Sequence, residues 1–460
     1  MSQSVRRHFI GIGGIGMSAL ARILLARGES VAGSDLAESE LLEQLRAEGA
    51  RVYVGHDADS LGDAEEVIVS SAIDRDNPEF REARRRKLPV VHRGELLARI
   101  ASLRDGIAIC GTHGKTTTTA MLHAILRAGG IDAGLVLGGI DPQLGRNAVD
   151  GTSPWFVCEA DESDGSFALL QPRIAAINNI ENDHLNSDDE LPRLIDAFGE
   201  FLGRLPAEGA AIVGIDNANS ASLAARERAA RTITFGMTAL ADVTAANVVF
   251  SGLSTHFDLV VRGERRGALT LNVPGAINVL NALAAIAVAC EVGAPFAAIA
   301  AGLRDFCGVR RRFDILARGQ RLTVVDDYAH HPTAVRATIA AARNYHSGPL
   351  VVAFQPHRYS RTGYLARDFA DALRGADRVY LTPIYAASEA PIPGISERSI
   401  GDRLSEFGVD VRYVARVEEL VERIEEESPP GTLALMLGAG SITRSAARLA
   451  ERAMPTAALR

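Results

Sequence analysis

Lys115 is one of only two lysines in a 460-residue chain that holds 47 arginines, so a compact ammonium stands where a guanidinium would meet any general need for charge. It lies in Gly111-Thr112-His113-Gly114-Lys115-Thr116-Thr117, between the apolar run Ile107–Cys110 and a helical pattern through Met121, Leu122 and Ile125. A strand, a tight turn and a helix in that order aim the free N–H groups of the helix start at one point, which favours an anion. The ammonium of Lys115 can reach terminal phosphates, and a hydroxyl such as that of Thr116 can ligate Mg²⁺. The spacing departs from the common phosphate loop, since two residues and not four separate Gly111 from Gly114.

Acidic residues follow the next strand, Trp155 to Cys158, as Glu159-Ala-Asp-Glu-Ser-Asp164. At a strand's carboxyl end they are placed to hold Mg²⁺ beside phosphates, or to form a solvated turn. The strand Ile174 to Ile180 runs into Glu181-Asn182-Asp183-His184, and His184 is a candidate metal or phosphate ligand. Asn278 and Asn281 share one face of an apolar helix spanning 274–291. Buried amides cost free energy unless bonded, and either a nucleotide base edge or a loop carbonyl would bond them.

The elements that must position these groups alternate as α/β domains do. His8 to Ile12 is a strand, and Gly11-x-Gly13-x-x-Gly16 turns it into the helix Met17 to Arg27. A second strand then ends at Asp35, which completes a dinucleotide fingerprint that licenses a phosphate without naming the nucleotide. Short strands and turns between 209 and 267 read as framework. Arg310-Arg311-Arg312-Phe313 opens a third unit, where Asp326–Pro332, Gln355–Arg361 and Gly438–Ser441 follow successive strands. Polar clusters at strand ends are where an open α/β sheet puts its crevice. The expected domains are 1–104, 105–310 and 311–460.

Composition narrows the function. A net charge of −8 with scattered arginines suggests neither nucleic acid nor an anionic membrane as partner, and no apolar run is long enough to span a bilayer. Arg6-Arg7 precedes a stretch broken by glycines and Arg22, so export by a twin-arginine signal is the weaker reading. Cys110, Cys158, Cys290 and Cys307 lack paired spacing and read as reduced core thiols of a cytoplasmic protein.

Taken together, GIGGIGMS at Gly11, SSAI at Ser70, GTHGKTTTT at Gly111, EADESDGSF at Glu159, DHL at Asp183, GVRRRF at Gly308, DDYAHHP at Asp326, FQPHRYSR at Phe354 and YAASEAPIPG at Tyr385 resemble the Mur ligase family over essentially the whole chain. The shortened loop is that family's own form. The resemblance implies three α/β domains: an N-terminal Rossmann-like UDP-binding domain, a central P-loop ATPase-like domain and a C-terminal Rossmann-like domain. It implies an ATP-dependent amide ligase working through an acyl phosphate, and several motifs look like those of the alanine-adding branch. The substrates would be UDP-N-acetylmuramate, L-alanine and ATP, with two Mg²⁺ ions.

By the same resemblance, Lys115 matches the phosphate lysine, Thr116 and Glu159 the ligands of the ATP-bound metal, and His184 a ligand of the second. The loop Gly111, Thr112, His113, Gly114 and Thr117 would cradle ATP. Asn278 and Asn281 match adenine-side contacts, Arg312 a phosphate contact and Asp327 a ribose contact. Tyr328, His330, His357, Arg358 and Arg361 look like the amino-acid pocket, with His330 as a candidate base. UDP-sugar would lie against Gly13, Gly14, Ile15, Gly16, Asp35, His56, Ser70 and Ser71. The sequence departs from the family at Asn186, Ala329 and Ser388, where Asp, Gly and Gly are usual. The rival readings are a tripeptide-recycling ligase of the same superfamily, a nicotinamide dehydrogenase suggested by the first fingerprint, and a nucleotide-sensing module without catalysis. The dehydrogenase leaves Lys115, Glu159 and His184 unexplained.

Overall fold

The computed structural model describes residues 5–162, 165–182, 190–226, 231–387 and 389–454. Two compact units emerge, one of Met1–Ile180, Leu194–Val243 and Ala282–Gly302, the other of Glu181–Arg193, Thr244–Asn281 and Leu303–Arg460.

The first unit contains a five-stranded parallel sheet in the order Arg51–Val54, Val31–Asp35, Arg7–Ile10, Glu66–Val69, Val90–His92. This is a doubly wound sheet whose order reverses between Arg7–Ile10 and Glu66–Val69, and the carboxyl ends of those strands bound the ligand crevice of such folds. The helix Ile15–Ala26 is apolar nearly all round and buries Met17, Leu20, Ile23 and Leu24, as a helix between two layers must. Gly28, at φ +76°, takes the left-handed position that ends it. Arg22, which interrupts the apolar run, is almost fully buried; it pairs with Glu48 at 3.0 Å and donates to Asn147 of the strand Arg146–Val149. Asn147 in turn donates to the Ser18 hydroxyl at 2.9 Å, so the charge is bonded on every side.

The same unit holds the parallel strands Arg231–Gly236, Ala210–Gly214, Ile174–Ile177, Asp105–Cys110, Trp155–Glu159 and Gly134–Asp141 side by side in that order. Ile107 to Cys110 are wholly buried, as a strand covered on both faces requires. The strand after Arg173 stops at Ile177 and not at Ile180, because Asn178 and Asn179 turn onto the loop beside them.

In the second unit, Thr255–Leu259 pairs antiparallel with Gly267–Leu271. Its six-stranded sheet runs Asp314–Arg318, Leu322–Asp327, Thr432–Leu437, Leu350–Phe354, Arg378–Leu381, Asp410–Tyr413, parallel except for the first pair. Apolar residues on both faces, among them Val325, Phe354, Leu373, Val379, Tyr380 and Met436, are fully buried. Among the described residues no helix is long and apolar enough to cross a membrane. Cys110 and Cys158 are core thiols, as expected, but Cys290 and Cys307 are exposed. Cys290 sits near the end of the helix Ala276–Val292, just past the fully buried turn that precedes it.

Candidate active site

The strand Asp105–Cys110 lies between Ile174–Ile177 and Trp155–Glu159, and this order alone decides what surrounds the loop that follows it. Gly111 (φ +114°) and Gly114 (φ +83°) adopt backbone conformations that L side chains avoid, and the helix Lys115–Ala128 opens with no side-chain cap. Gly114, at its N-cap, has no side chain to bond the first N–H groups. From one neighbouring strand, the Asn179 side chain accepts the His113 N–H at 2.8 Å and donates to the His113 carbonyl at 3.2 Å. The Asn178 amide reaches that carbonyl at 3.3 Å and Thr118 Oγ1 at 3.0 Å. Asn178 and Asn179 therefore template a loop too short to hold itself.

From the other neighbour, Glu159 Oε2 accepts the Thr116 hydroxyl at 2.9 Å. Glu162 takes the Lys115 ammonium with both oxygens, at 2.8 and 3.1 Å, and the Gly111 carbonyl takes it at 2.6 Å. Burial pulls the Lys115 pKa down, yet Glu162, Asp161 and Glu159 outweigh it and leave it above the ordinary value. Lys115 is charged wherever the protein is folded near neutrality. A hydroxyl and a carboxylate oxygen in contact are the hard donor pair that Mg²⁺ prefers.

At the carboxyl end of the first sheet, the Gly13 N–H donates to Asp35 Oδ2 at 2.8 Å, so Asp35 holds the glycine turn itself. His56 belongs to a buried cluster: Ser34 Oγ lies 2.9 Å from its Nδ1 and donates to Glu79 Oε2 at 2.7 Å, while His8 Nε2 meets the same oxygen at 2.8 Å. Burial raises the Glu79 pKa, but the bonds from His8 and Ser34 win and hold it below the ordinary value.

In the second unit, strand ends again set the neighbours. Asp327, at the end of Leu322–Asp327, accepts the Phe313 N–H and the Ala329 N–H, both at 2.7 Å. The guanidinium groups of Arg311 and Arg312 each lie 4.9 Å from the Tyr328 ring centre. His330 Nδ1 is 2.8 Å from the Tyr328 carbonyl. A carbonyl only accepts, so Nδ1 carries a proton, and in the neutral ring Nε2 is then the nitrogen with the lone pair a base requires. His330 meets His357 edge to face at 5.5 Å, and His357 stacks on Tyr385 at 5.6 Å. Arg361 Nη1 approaches His357 Nδ1 at 3.4 Å. Arg358 sits at φ +71° with its N–H on the Tyr385 carbonyl, and its Nε is buried without a hydrogen-bond partner among the described residues. Asn278 donates to the Pro274 carbonyl at 2.7 Å and accepts from Asn281 at 3.1 Å, so a backbone carbonyl and not only a ligand satisfies this pair.

The pattern described as "Mur ligase family, catalytic domain" matches residues 6–105, the "Mur ligase middle domain" 109–289 and the "Mur ligase, glutamate ligase domain" 311–440. A UDP-N-acetylmuramate–L-alanine ligase of Geobacter sp. is 46% identical over 439 residues, 95% of either chain. The chain belongs to the Mur ligase family. A second enzyme of that name, from Geotalea uraniireducens, is 44% identical over 446 residues, 97% of either chain. The crystal structure of the UDP-N-acetylmuramate-alanine ligase of Thermotoga maritima matches with a TM-score of 0.83 at 32% identity, covering 97% of this chain and 98% of that one. As a Mur ligase the chain is an ATP-dependent amide-bond ligase, so a dehydrogenase and a catalytically silent sensor are set aside.

Of the residues singled out in this Mur ligase from sequence, Lys115 and Thr116 at the helix start meet Glu159 at the end of a neighbouring strand, and Tyr328, His330, His357 and Arg361 line up along another sheet edge. His184, Asn186 and Ser388 lie outside the described residues. Sequence reasoning missed Asn178, Asn179, Glu162 and Tyr385 as site residues, although the motifs at Glu159 and Tyr385 contain two of them. Burial pushes Asp327 up to about 6, with Arg312 and the two N–H groups opposing it. A carboxyl whose folded pKa exceeds the unfolded 3.8 contributes stability that is full below that value and lost as pH rises through about 6. Asp327→Asn should therefore flatten the stability profile between about pH 4 and pH 7 by roughly 3 kcal/mol. Urea melts of both proteins across that range check it; parallel profiles would contradict it.

Proposed function

We propose that this Mur ligase joins L-alanine to the lactyl carboxylate of UDP-N-acetylmuramate. The observation that carries the reading is the Lys115 ammonium beside the Thr116–Glu159 oxygen pair at a helix start whose N-cap is Gly114, in a chain whose relatives at 44–46% identity bear that enzyme's name. A carboxylate oxygen of the sugar attacks the γ-phosphorus of ATP and ADP leaves, giving an acyl phosphate. The alanine nitrogen then attacks the acyl carbon, and phosphate departs with that carboxylate oxygen. Little covalent work falls to the protein, so positioning and charge neutralisation supply most of the rate.

In this account Lys115 neutralises the terminal phosphates, and Arg312 is a phosphate contact by motif. Thr116 and Glu159 hold a Mg²⁺ ion, with His184 on a second ion by motif alone; when bound, the metal neutralises phosphate charge. Asn278 and Asn281 face the adenine and Asp327 the ribose. Arg358 and Arg361 grip the alanine carboxylate, and His330 Nε2 takes a proton from its ammonium. Gly13, Gly14, Ile15, Gly16, His56, Ser70 and Ser71 border the UDP-sugar, while Asp35 shapes the turn. The division 1–104, 105–310 and 311–460 assigns one substrate to each domain, and a cytoplasmic location suits nucleotide substrates.

Phosphate release with ATP, UDP-N-acetylmuramate and a panel of L-alanine, glycine, L-serine and the murein tripeptide tests the proposal. L-Alanine should give the highest kcat/KM. Faster turnover with the tripeptide would assign the chain to recycling.

A further inference from the structure

The strands Leu350–Phe354 and Arg378–Leu381 lie parallel and adjacent, so the segments that leave their carboxyl ends run side by side. Backbone bonds join those segments: the Tyr385 N–H donates to the Pro356 carbonyl and the Arg358 N–H to the Tyr385 carbonyl, each at 2.8 Å. Two non-glycine residues take left-handed conformations beside that junction, Arg358 at φ +71° and Ala387 at φ +47°. Backbone strain of this kind persists only where the surrounding contacts over-determine it.

Arg358 is also the N-cap of the helix Tyr359–Tyr364, and its side chain makes no capping bond. A guanidinium carries donors alone, so it cannot accept the first N–H groups. Glu389 does this from the neighbouring segment: its Oε2 accepts the Ser360 N–H at 3.1 Å and its Oε1 the Ser360 hydroxyl at 2.7 Å. Burial raises the Glu389 pKa, but the bonds from Ser360 and the charge of Arg358 outweigh it and hold the carboxyl below the ordinary value. Glu389 is itself tied down, its N–H donating to the Ala386 carbonyl at 2.9 Å. Further along, a Cβ on Gly363 would fall 2.9 Å from Ile395 Cδ1, so the same segment presses on the helix there too.

The left-handed turn is thus clamped before Arg358 by Tyr385 and after it by Glu389. Arg358 Nε is buried with no hydrogen-bond partner among the described residues. A buried donor left unmet costs free energy until something accepts it.

We propose that Glu389 is a positioning residue for the amino-acid site: it supplies the cap that Arg358 cannot, fixes the turn, and so aims the Arg358 guanidinium at the incoming carboxylate. This rests on the alanine site proposed above. Glu389 acts through Arg358 and not on the substrate, which gives it a signature that a merely structural contact lacks.

A double-mutant cycle reads that signature in the KM for L-alanine at saturating ATP. Glu389→Gln should raise this KM about tenfold and leave the KM for ATP unchanged, and Ser360→Ala should show the same pattern more weakly. In a chain already carrying Arg358→Ala, adding Glu389→Gln should change the KM for L-alanine by less than about twofold, since the group it positions is gone. Full multiplication of the two single effects, a wild-type KM for L-alanine in Glu389→Gln, or an equal rise for ATP and L-alanine would overturn the inference. A wild-type KM for L-alanine in Arg358→Ala would instead sink the alanine-site reading beneath it.

Discussion

Lys115→Arg is expected to lower turnover by roughly 10²- to 10³-fold, with circular dichroism and melting close to those of the wild-type protein. The ammonium sits between the Gly111 carbonyl at 2.6 Å and both oxygens of Glu162, a space cut for a point charge with three donors. A guanidinium in that cradle is too wide to keep Glu162 and the loop carbonyl while meeting the terminal phosphates. The loop cannot open to admit it, because Asn178 and Asn179 hold both the N–H and the carbonyl of His113. Steady-state phosphate release and single-turnover kinetics read the loss. Turnover within a few-fold of wild type would remove Lys115 from the chemistry.

Arg358→Ala should raise the apparent requirement for L-alanine by tens-fold, about 2 to 3 kcal/mol, and leave the affinity for ATP nearly unchanged. The backbone of Arg358 is held at φ +71° by its N–H on the Tyr385 carbonyl and by the Thr362 hydroxyl on its own carbonyl at 2.7 Å. Strain of this kind persists where the surroundings over-determine it, and it commonly marks a functional residue. Alanine leaves the backbone equally strained, so the change reports the guanidinium and not relief of strain. Initial rates against alanine at saturating ATP, and against ATP at saturating alanine, separate the effects. Equal weakening of both would place Arg358 on a phosphate.

What could be read from sequence was what the chain encodes locally. The glycines at 111 and 114, Lys115 after them, and Glu159 at a strand end announce themselves by neighbours a few residues away, and the alternation of strands and helices gave the α/β sheets. What escaped depends on which strands lie side by side. Asn179 meets His113 across 66 positions, Glu162 meets Lys115 across 47 and Arg93 meets Asp161 across 68, because the sheet order places those strand ends together. No local pattern encodes that order. The amides of Asn178 and Asn179 read as the tail of an apolar strand, since nothing nearby in sequence shows a loop awaiting them. Asn278 shows the converse: an amide on an apolar helix looked as ready for a base edge as for a carbonyl, and Pro274, four residues earlier, supplies a carbonyl.

The claim on which the account rests is that the Lys115 loop delivers phosphate to the carboxylate of the sugar before alanine arrives. UDP-N-acetylmuramate labelled with ¹⁸O in the lactyl carboxylate tests it directly. With ATP and L-alanine present, the account predicts that each phosphate released carries one labelled oxygen at full carboxylate enrichment, because that oxygen leaves with the phosphate when nitrogen attacks the acyl carbon. Unlabelled phosphate alongside ligated product would contradict it.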